Sequence, residues 1–289
     1  MPYSNARAEG AAGAGPTRLP DSKATLHELF SRALEASFPE GKFEGRLPAR
    51  PTGRTIVLGA GKAAARMAAA FENAWEQPCE GLVITRYGHS TVTRQIEVVE
   101  AAHPIPDESG LAATVRILEL ARSAGPEDLV VFLMSGGASS LMTMPIPGVS
   151  LAQKQEITKQ LLRSGAPIGD INCVRKSLSA VKGGKLALAA QPARTVTYVI
   201  SDVPGDDPAV VGSGPSIIEA NSVERAQAIL HRYEIAAADS LRNLMRGGDA
   251  DLPSPGEVHL IASPRTALEA AAARAAEMGF RPLILGDAI

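Results

Sequence analysis

Apolar and polar positions along this chain fall into two kinds of block, and the order of those blocks predicts a parallel α/β sheet. From Ser22 to Phe38 apolar residues recur at helical spacing (Leu26, Leu29, Phe30, Ala33, Leu34) and the segment closes at Pro39 and Gly41, which predicts a helix. Thr55–Leu58 is a short, continuously apolar run followed by a glycine turn and an Ala-rich helical stretch from about Ala63 to Trp75. Strand-like runs then recur at Gly81–Thr85, Ile96–Glu100, Asp128–Met134 and Thr195–Ser201. Helical spacing recurs near Ser109–Ser123, Leu151–Arg163, Val174–Ala190, Glu224–Tyr233 and Asp239–Met245. After a polar, Pro- and Gly-bearing loop from Arg246 to Gly256 comes a fresh βαβ pattern: Val258–Ala262, Thr266–Met278, Pro282–Leu285.

Runs such as Leu129-Val130-Val131-Phe132-Leu133 and Thr197-Tyr198-Val199-Ile200 are apolar throughout rather than alternating, so both strand faces are expected to be covered. Strands alternating with helices in this way predict a doubly wound, mostly parallel, Rossmann-like sheet, with ligands at the C-terminal strand ends. The organisation expected is a disordered tail over residues 1–20, an α/β domain over 21–235, and a linker helix plus the first βαβ unit of an incomplete second α/β domain over 236–289.

Composition narrows the function classes. A hydrophobic fraction of 45% over 289 residues is ample for a packed core. The formal net charge of -2 and the lack of a Lys/Arg block argue against a nucleic-acid surface. No apolar stretch has the length of a membrane span and the start lacks the apolar core of a signal peptide, so a cytoplasmic location is expected. Two cysteines, Cys79 and Cys173, make neither a disulfide framework nor a zinc site by themselves.

The candidate chemistry sits in the loops that follow the strands. Gly59-Ala60-Gly61-Lys62 and Ser135-Gly136-Gly137-Ala138-Ser139-Ser140 each lie between an apolar run and a helix, the setting in which free N–H groups and the helix dipole favour an anion. A tight strand-to-helix connection explains the first turn equally well, but Lys62 in a first helical turn is disfavoured by the dipole unless an anion is bound there. Read as a relaxed dinucleotide turn, with Arg86 ending the next strand, it also suggests NADP. In the second turn Ser135, Ser139 and Ser140 offer hydroxyls, either to a substrate or as helix caps, and Gly137-Ala138-Ser139-Ser140-Leu141 lacks the closing glycine of a hydrolase elbow. Asp202 in Ser201-Asp202-Val203-Pro204-Gly205-Asp206-Asp207 leaves a buried strand where a carboxylate can hold Mg²⁺ beside phosphates, while Asp206 and Asp207 fit turn-shaping and metal-binding roles about equally. Gly212-Ser213-Gly214 follows. On one continuous helix Arg175, Ser179 and Lys182 would share a face, giving a basic strip. His103, in Ala102-His103-Pro104-Ile105-Pro106-Asp107, is a loop histidine beside these turns.

In their order, GAGKAA at Gly59, AHPIPD at Ala102, LMSGGASSLM at Leu133, NCVRKSLSAVKGGKLA at Asn172, ISDVPGDDPAVVGSGPS at Ile200 and ASPRTALEAAAA at Ala262 resemble the class II glycerate kinases, some of which carry the older label hydroxypyruvate reductase. The resemblance implies ATP- and Mg²⁺-dependent phosphorylation of D-glycerate to 2-phosphoglycerate, with a site between an N-terminal α/β domain and a MOFRL-type second domain. It matches Lys62 to the family's essential lysine and Asp202 to a charged position of another cleft motif; Lys62 and Asp202 are expected as catalytic residues, and the position after the strand makes Asp202, with Asp206, the expected metal site. Gly59, Gly61, Ser135, Gly136, Gly137, Ser139, Gly212, Ser213 and Gly214 would bind the nucleotide, and Arg175, Lys182 and Ser140 the substrate. The motif series stops at Ile289, short of the second domain that such kinases usually carry, so a homo-oligomer or a separately encoded second domain is an expected partner and turnover by the chain alone is expected to be slight. The alternatives are an NAD(P)H-dependent hydroxypyruvate reductase and a non-catalytic glycerate- or nucleotide-binding protein.

Overall fold

A computed structural model describes residues 21–219, 223–236, 238–242, 244–245 and 256–286. The expected tail over 1–20 and most of the expected polar loop, 246–255, lie outside the described residues. The elements are α1 (Ser22–Ser37), β1 (Thr55–Ala60), α2 (Ala64–Trp75), β2 (Glu80–Arg86), β3 (Ile96–Ala101), α3 (Glu108–Arg122), β4 (Leu129–Ser135), α4 (Ala138–Leu141), α5 (Leu151–Arg163), α6 (Ile168–Ser177), α7 (Lys185–Ala189), β5 (Arg194–Ile200), α8 (Val223–Arg232), α9 (Ala238–Arg242), β6 (Glu257–Ala262) and α10 (Pro264–Glu277).

The six strands form one sheet in the order β3-β2-β1-β4-β5-β6, and every neighbouring pair is parallel. The expected α/β class is therefore the observed one. The order reverses between β1 and β4, so the crevice for a ligand opens at their C-terminal ends.

The continuously apolar strands serve two cores. Ile56, Leu58, Leu82, Ile84 and Phe132 face one side and pack with Ile117 and Leu118 of α3. Val57, Val83, Val131, Leu133 and Tyr198 face the other, against Met67, Phe71 and Trp75 of α2. A third cluster gathers Ile157, Leu161, Ile171, Val174, Ile229, Leu230 and Leu241, so α5, α6, α8 and α9 form a small helical body beside the sheet.

Two local expectations are corrected. The helix expected over Val174–Ala190 is broken: α6 ends at Ser177 and α7 begins at Lys185, because Gly183 and Gly184 take φ of +63° and +78° and donate their N–H groups to Ser213 O and Gly214 O. A Cβ at Gly184 would stand 2.4 Å from Ile218 Cα, so glycine is required there. No strand forms over 282–285, where Leu283 and Leu285 are exposed, so the expected βαβ unit is formed only as β6 and α10. β6 adds to the one sheet beside β5, and α10 packs on α1 with Arg274 paired to Glu28.

Candidate active site at the switch point

β1 and β4 each run into a glycine turn, and the two turns are bonded to one another. Lys62 N donates to Gly136 O at 2.8 Å, and Ala63 N donates to Ser135 Oγ at 3.0 Å. A Cβ on Gly59 would lie 2.3 Å from Leu133 O, and one on Gly61 would lie 2.1 Å from Ser135 Oγ, so the glycines permit the close approach of β4. Gly61 N goes to Ile84 O and Ala64 N to Gly61 O. All four amides from Gly61 to Ala64 thus have protein acceptors. The amides of the turn itself are engaged within the protein, and Gly59, Gly61 and the buried Ser135 join the two turns to one another.

What this turn presents is the Lys62 side chain. Its Nζ lies 2.8 Å from Oδ2 of Asp202, just past the end of β5, and both side chains are about two-fifths exposed, at 43% and 44%. Gly136 makes room for the pair, since a Cβ there would sit 1.8 Å from Asp202 Oδ2. Gly137, at φ +88°, borders two further groups: a Cβ on it would meet His103 Nε2 at 3.0 Å and Lys62 Cγ at 3.2 Å. Burial, then the charges of Lys62 and Arg86, hold the His103 pKa below its ordinary value, with Asp202 opposing them. The Nε of Arg86, at the end of β2, is buried with no hydrogen-bond partner among the described residues.

From His103 and Gly137 a cavity of about 500 Å³ runs past Ser139, Ser140 and Thr143 to Lys154, Arg175 and Lys182. Every charged or titratable side chain lining it is basic. The expected basic strip is corrected in its geometry: Arg175 is on α6, while Lys182 lies beyond the helix end, fully buried, with Nζ donating to Met142 O at 2.8 Å. Ser179 does not face the cavity but accepts from the amides of Val181 and Lys182. Ser140 donates to Gly137 O, and Ser139 Oγ lies 3.1 Å from Ser213 Oγ. Gly212 packs so tightly that a Cβ would be 2.6 Å from that of Ala138, and Gly214 stands as close to Ala209 O, so the Gly212-Ser213-Gly214 turn braces α4 and the 183–184 turn.

The residues fit a substrate-borne Mg²⁺ rather than a protein-caged metal. Among the described residues no group of three His, Cys, Asp or Glu could hold a metal ion. A cation that retains waters and takes phosphate oxygens requires only one or two carboxylates. Asp202 is accessible, and Asp206, at φ +53°, has a buried Oδ1 with no hydrogen-bond partner among the described residues.

The sequence reading brought Lys62, Asp202, Gly136 and Gly137 to one place, and the structure joins them. It missed two contributors. The sequence gives His103 no role, although the AHPIPD motif carries it. Lys154 had no signal at all, because a lysine in α5 looks like any lysine on a solvated helix.

No helix among the described residues is long and apolar enough to cross a membrane. The family described as "Domain of unknown function (DUF4147)" matches residues 25–246. A "Putative hydroxypyruvate reductase" of Agrobacterium vitis is 46% identical over 93% of this chain and 62% of its own length. A "D-glycerate 2-kinase" of Thermotoga maritima is 40% identical over 89% of this chain, again covering 62% of the relative. The crystal structure of a glycerate kinase from Thermotoga maritima superimposes with a TM-score of 0.83 at 39% identity, over 91% of this chain and 64% of that one. The chain thus spans somewhat less than two thirds of these relatives. Through its DUF4147 domain, the chain belongs to the class II glycerate kinase family.

Proposed function

We propose that the chain carries the acceptor and phosphoryl-transfer site of an ATP-dependent kinase that converts D-glycerate to 2-phosphoglycerate. The observation that carries the reading is the junction at Gly137, where the Lys62–Asp202 pair meets the mouth of a cavity whose charged lining is wholly basic. A small hydroxy acid held there by its carboxylate, at Arg175 and Lys182 with Ser140 nearby, would present its hydroxyl toward His103. The name of the Thermotoga maritima relative supports the same reading.

The chemistry is positioning plus neutralisation of charge on the phosphoryl oxygens. His103, kept neutral near pH 7 by its lowered pKa, takes the proton of the 2-hydroxyl as that oxygen bonds to the γ-phosphorus of ATP. The bond from γ-phosphorus to the bridging oxygen breaks and ADP departs. Mg²⁺ would be held by Asp202, with Asp206 as a second carboxylate, and would neutralise charge on the phosphate oxygens. Lys62, relieved of Asp202, then stabilises the transferring group. The nucleotide would lie over Gly136 and Gly137, toward Ser139 and the Gly212-Ser213-Gly214 turn.

The name of the Agrobacterium vitis relative favours reduction of hydroxypyruvate as a second reading. Against it stand the bonded amides of Gly61 to Ala64, which leave no N–H groups there for a dinucleotide pyrophosphate. Two assays separate the readings: ATP, Mg²⁺ and D-glycerate with detection of ADP, and NADPH with hydroxypyruvate followed by absorbance. Each is run with the chain alone and with the part of the Thermotoga maritima relative that the chain does not span added as a separate polypeptide. ADP formation dependent on D-glycerate is expected; NADPH oxidation without it would overturn the reading. D-glycerate binding with neither turnover would favour a non-catalytic binding protein.

A further inference from the structure

Three basic side chains from separate parts of the chain converge at the inner end of the cavity. Lys154 reaches it from α5, Arg175 from α6, and Lys182 from the turn beyond α6. Lys154 is only 6% exposed, and among the described residues its ammonium has one hydrogen-bond partner, Thr143 Oγ1, at a long 3.5 Å. Lys182 is held by Met142 O. Among the described residues none of the three has a carboxylate within ion-pairing distance. Buried charges are ordinarily paired, because an unpaired one forfeits its hydration without compensation. A cluster that is basic, buried and unpaired, and that opens into a cavity, has the composition of an anion site waiting for its counter-ion.

We propose that Lys154 is a substrate-binding residue that closes, with Arg175, on the carboxylate of the hydroxy acid, and that it takes up a proton from solvent as the anion enters. The inference rests on the reading of the cavity as the acceptor site. Its charge logic follows from the surroundings. Facing Lys154 are Arg175 on α6, Lys182 in the following turn, Lys185 on α7, and His103 and Lys159 along the same cavity wall, with no acidic side chain among them. Burial first, then the charges of Arg175 and Lys185, push Lys154 down to about 7. Lys182, fully buried, is pushed well below its ordinary value, first by burial and then by the charges of Lys154 and Arg175, and its amine is engaged on Met142 O. Lys185 is lowered less, to about 8, and is held by Lys176 O and Ser179 O. In the empty site above neutral pH Lys154 is therefore mainly the neutral amine. An arriving carboxylate reverses the balance: the amine gains one proton from water or buffer, and the ammonium so formed pairs with the anion.

The test is calorimetric titration of the purified chain with D-glycerate, D-lactate and inorganic phosphate, each in two buffers of different ionisation enthalpy, which measures protons taken up on binding. For the bound anion, uptake should rise from about 0.1 proton near pH 6 to about 0.9 near pH 8, as a group titrating at about 7 in the empty site requires. Lys154→Met should abolish that uptake and weaken binding about 10- to 100-fold, the usual cost of losing a hydrogen bond to a charged group. Lys154→Arg, which is charged at every pH used, should bind without uptake, so the proposal remains testable if the methionine variant fails to fold. Uptake that persists in Lys154→Met or Lys154→Arg, or binding by the unaltered chain without uptake, overturns the proposal. So does failure of all three anions to bind. Uptake with phosphate or D-lactate but no binding of D-glycerate supports the role of Lys154 and overturns the substrate instead.

Discussion

Replacing Lys62 by methionine separates a structural lysine from a catalytic one. The substitution removes the 2.8 Å ion pair with Asp202 but keeps an unbranched stem beside Gly137. Both partners are about two-fifths exposed, so the pair contributes no more than about 1 kcal/mol to folding after solvent screening. In a chain of this size that corresponds to a fall in Tm of about 2–4 °C at most. The expected catalytic cost is far larger. One electrostatic stabiliser of charge developing in the transition state is worth about 10²- to 10³-fold in kcat, or about 3–4 kcal/mol. The two magnitudes differ enough to be told apart by a thermal melt and a D-glycerate-dependent ADP assay on the same preparation, in whichever arm of that assay turns over. The loss should fall on kcat more than on KM for D-glycerate, since the lysine acts on the transferring group and not on the acceptor carboxylate. Near-normal turnover in a well-folded variant would refute the reasoning, as would a Tm loss so large that unfolding accounts for the lost activity.

Other consequences are open to similar measurement. Gly136→Ala would place a Cβ 1.8 Å from Asp202 Oδ2, so it should drive the carboxylate off Lys62 and abolish turnover, with circular dichroism still reporting the fold; an active variant would contradict the packing described. Asp202→Asn should raise the Mg²⁺ concentration needed for half-maximal rate, because an amide is a weaker ligand for a hard cation, and an unchanged Mg²⁺ titration would move the metal elsewhere. If neutral His103 is the base, kcat/KM should fall as pH drops through its folded-state pKa, which lies below 6.5, and His103→Gln should remove that acid limb along with most of the rate. Glu72, only 3% exposed, accepts from the amides of Arg94, Gln95 and Ile96 where β3 begins, so Glu72→Ala should cost about 1–3 kcal/mol in a denaturant melt, chiefly by orphaning the buried Ile96 amide.

Local pattern determined the parallel sheet of this chain, because continuously apolar runs such as Leu129–Leu133 can be stable only with helices on both faces, and α2 and α3 supply them. The placement of Lys62, Gly136, Gly137 and Asp202 was legible for the same reason: a residue that follows a strand in a doubly wound sheet is carried to the ligand-binding edge. The task of each glycine was not legible. Gly59 and Gly61 look like phosphate-binding glycines in sequence, yet their amide neighbours are bonded across to β4, a contact between segments more than seventy residues apart. Nor was the break after Ser177 legible, since it depends on where the Ser213–Gly214 turn receives the amides of Gly183 and Gly184. The placement of β6 was likewise a tertiary matter, because a strand largely exposed over its first four residues and buried only at Ile261 and Ala262 carries no label for the edge it will join. Arg175 and Lys182 were legible as basic residues beside the cleft, but not Lys154, twenty-one residues before Arg175 on another helix, and only packing brings the three together as buried basic groups around one cavity.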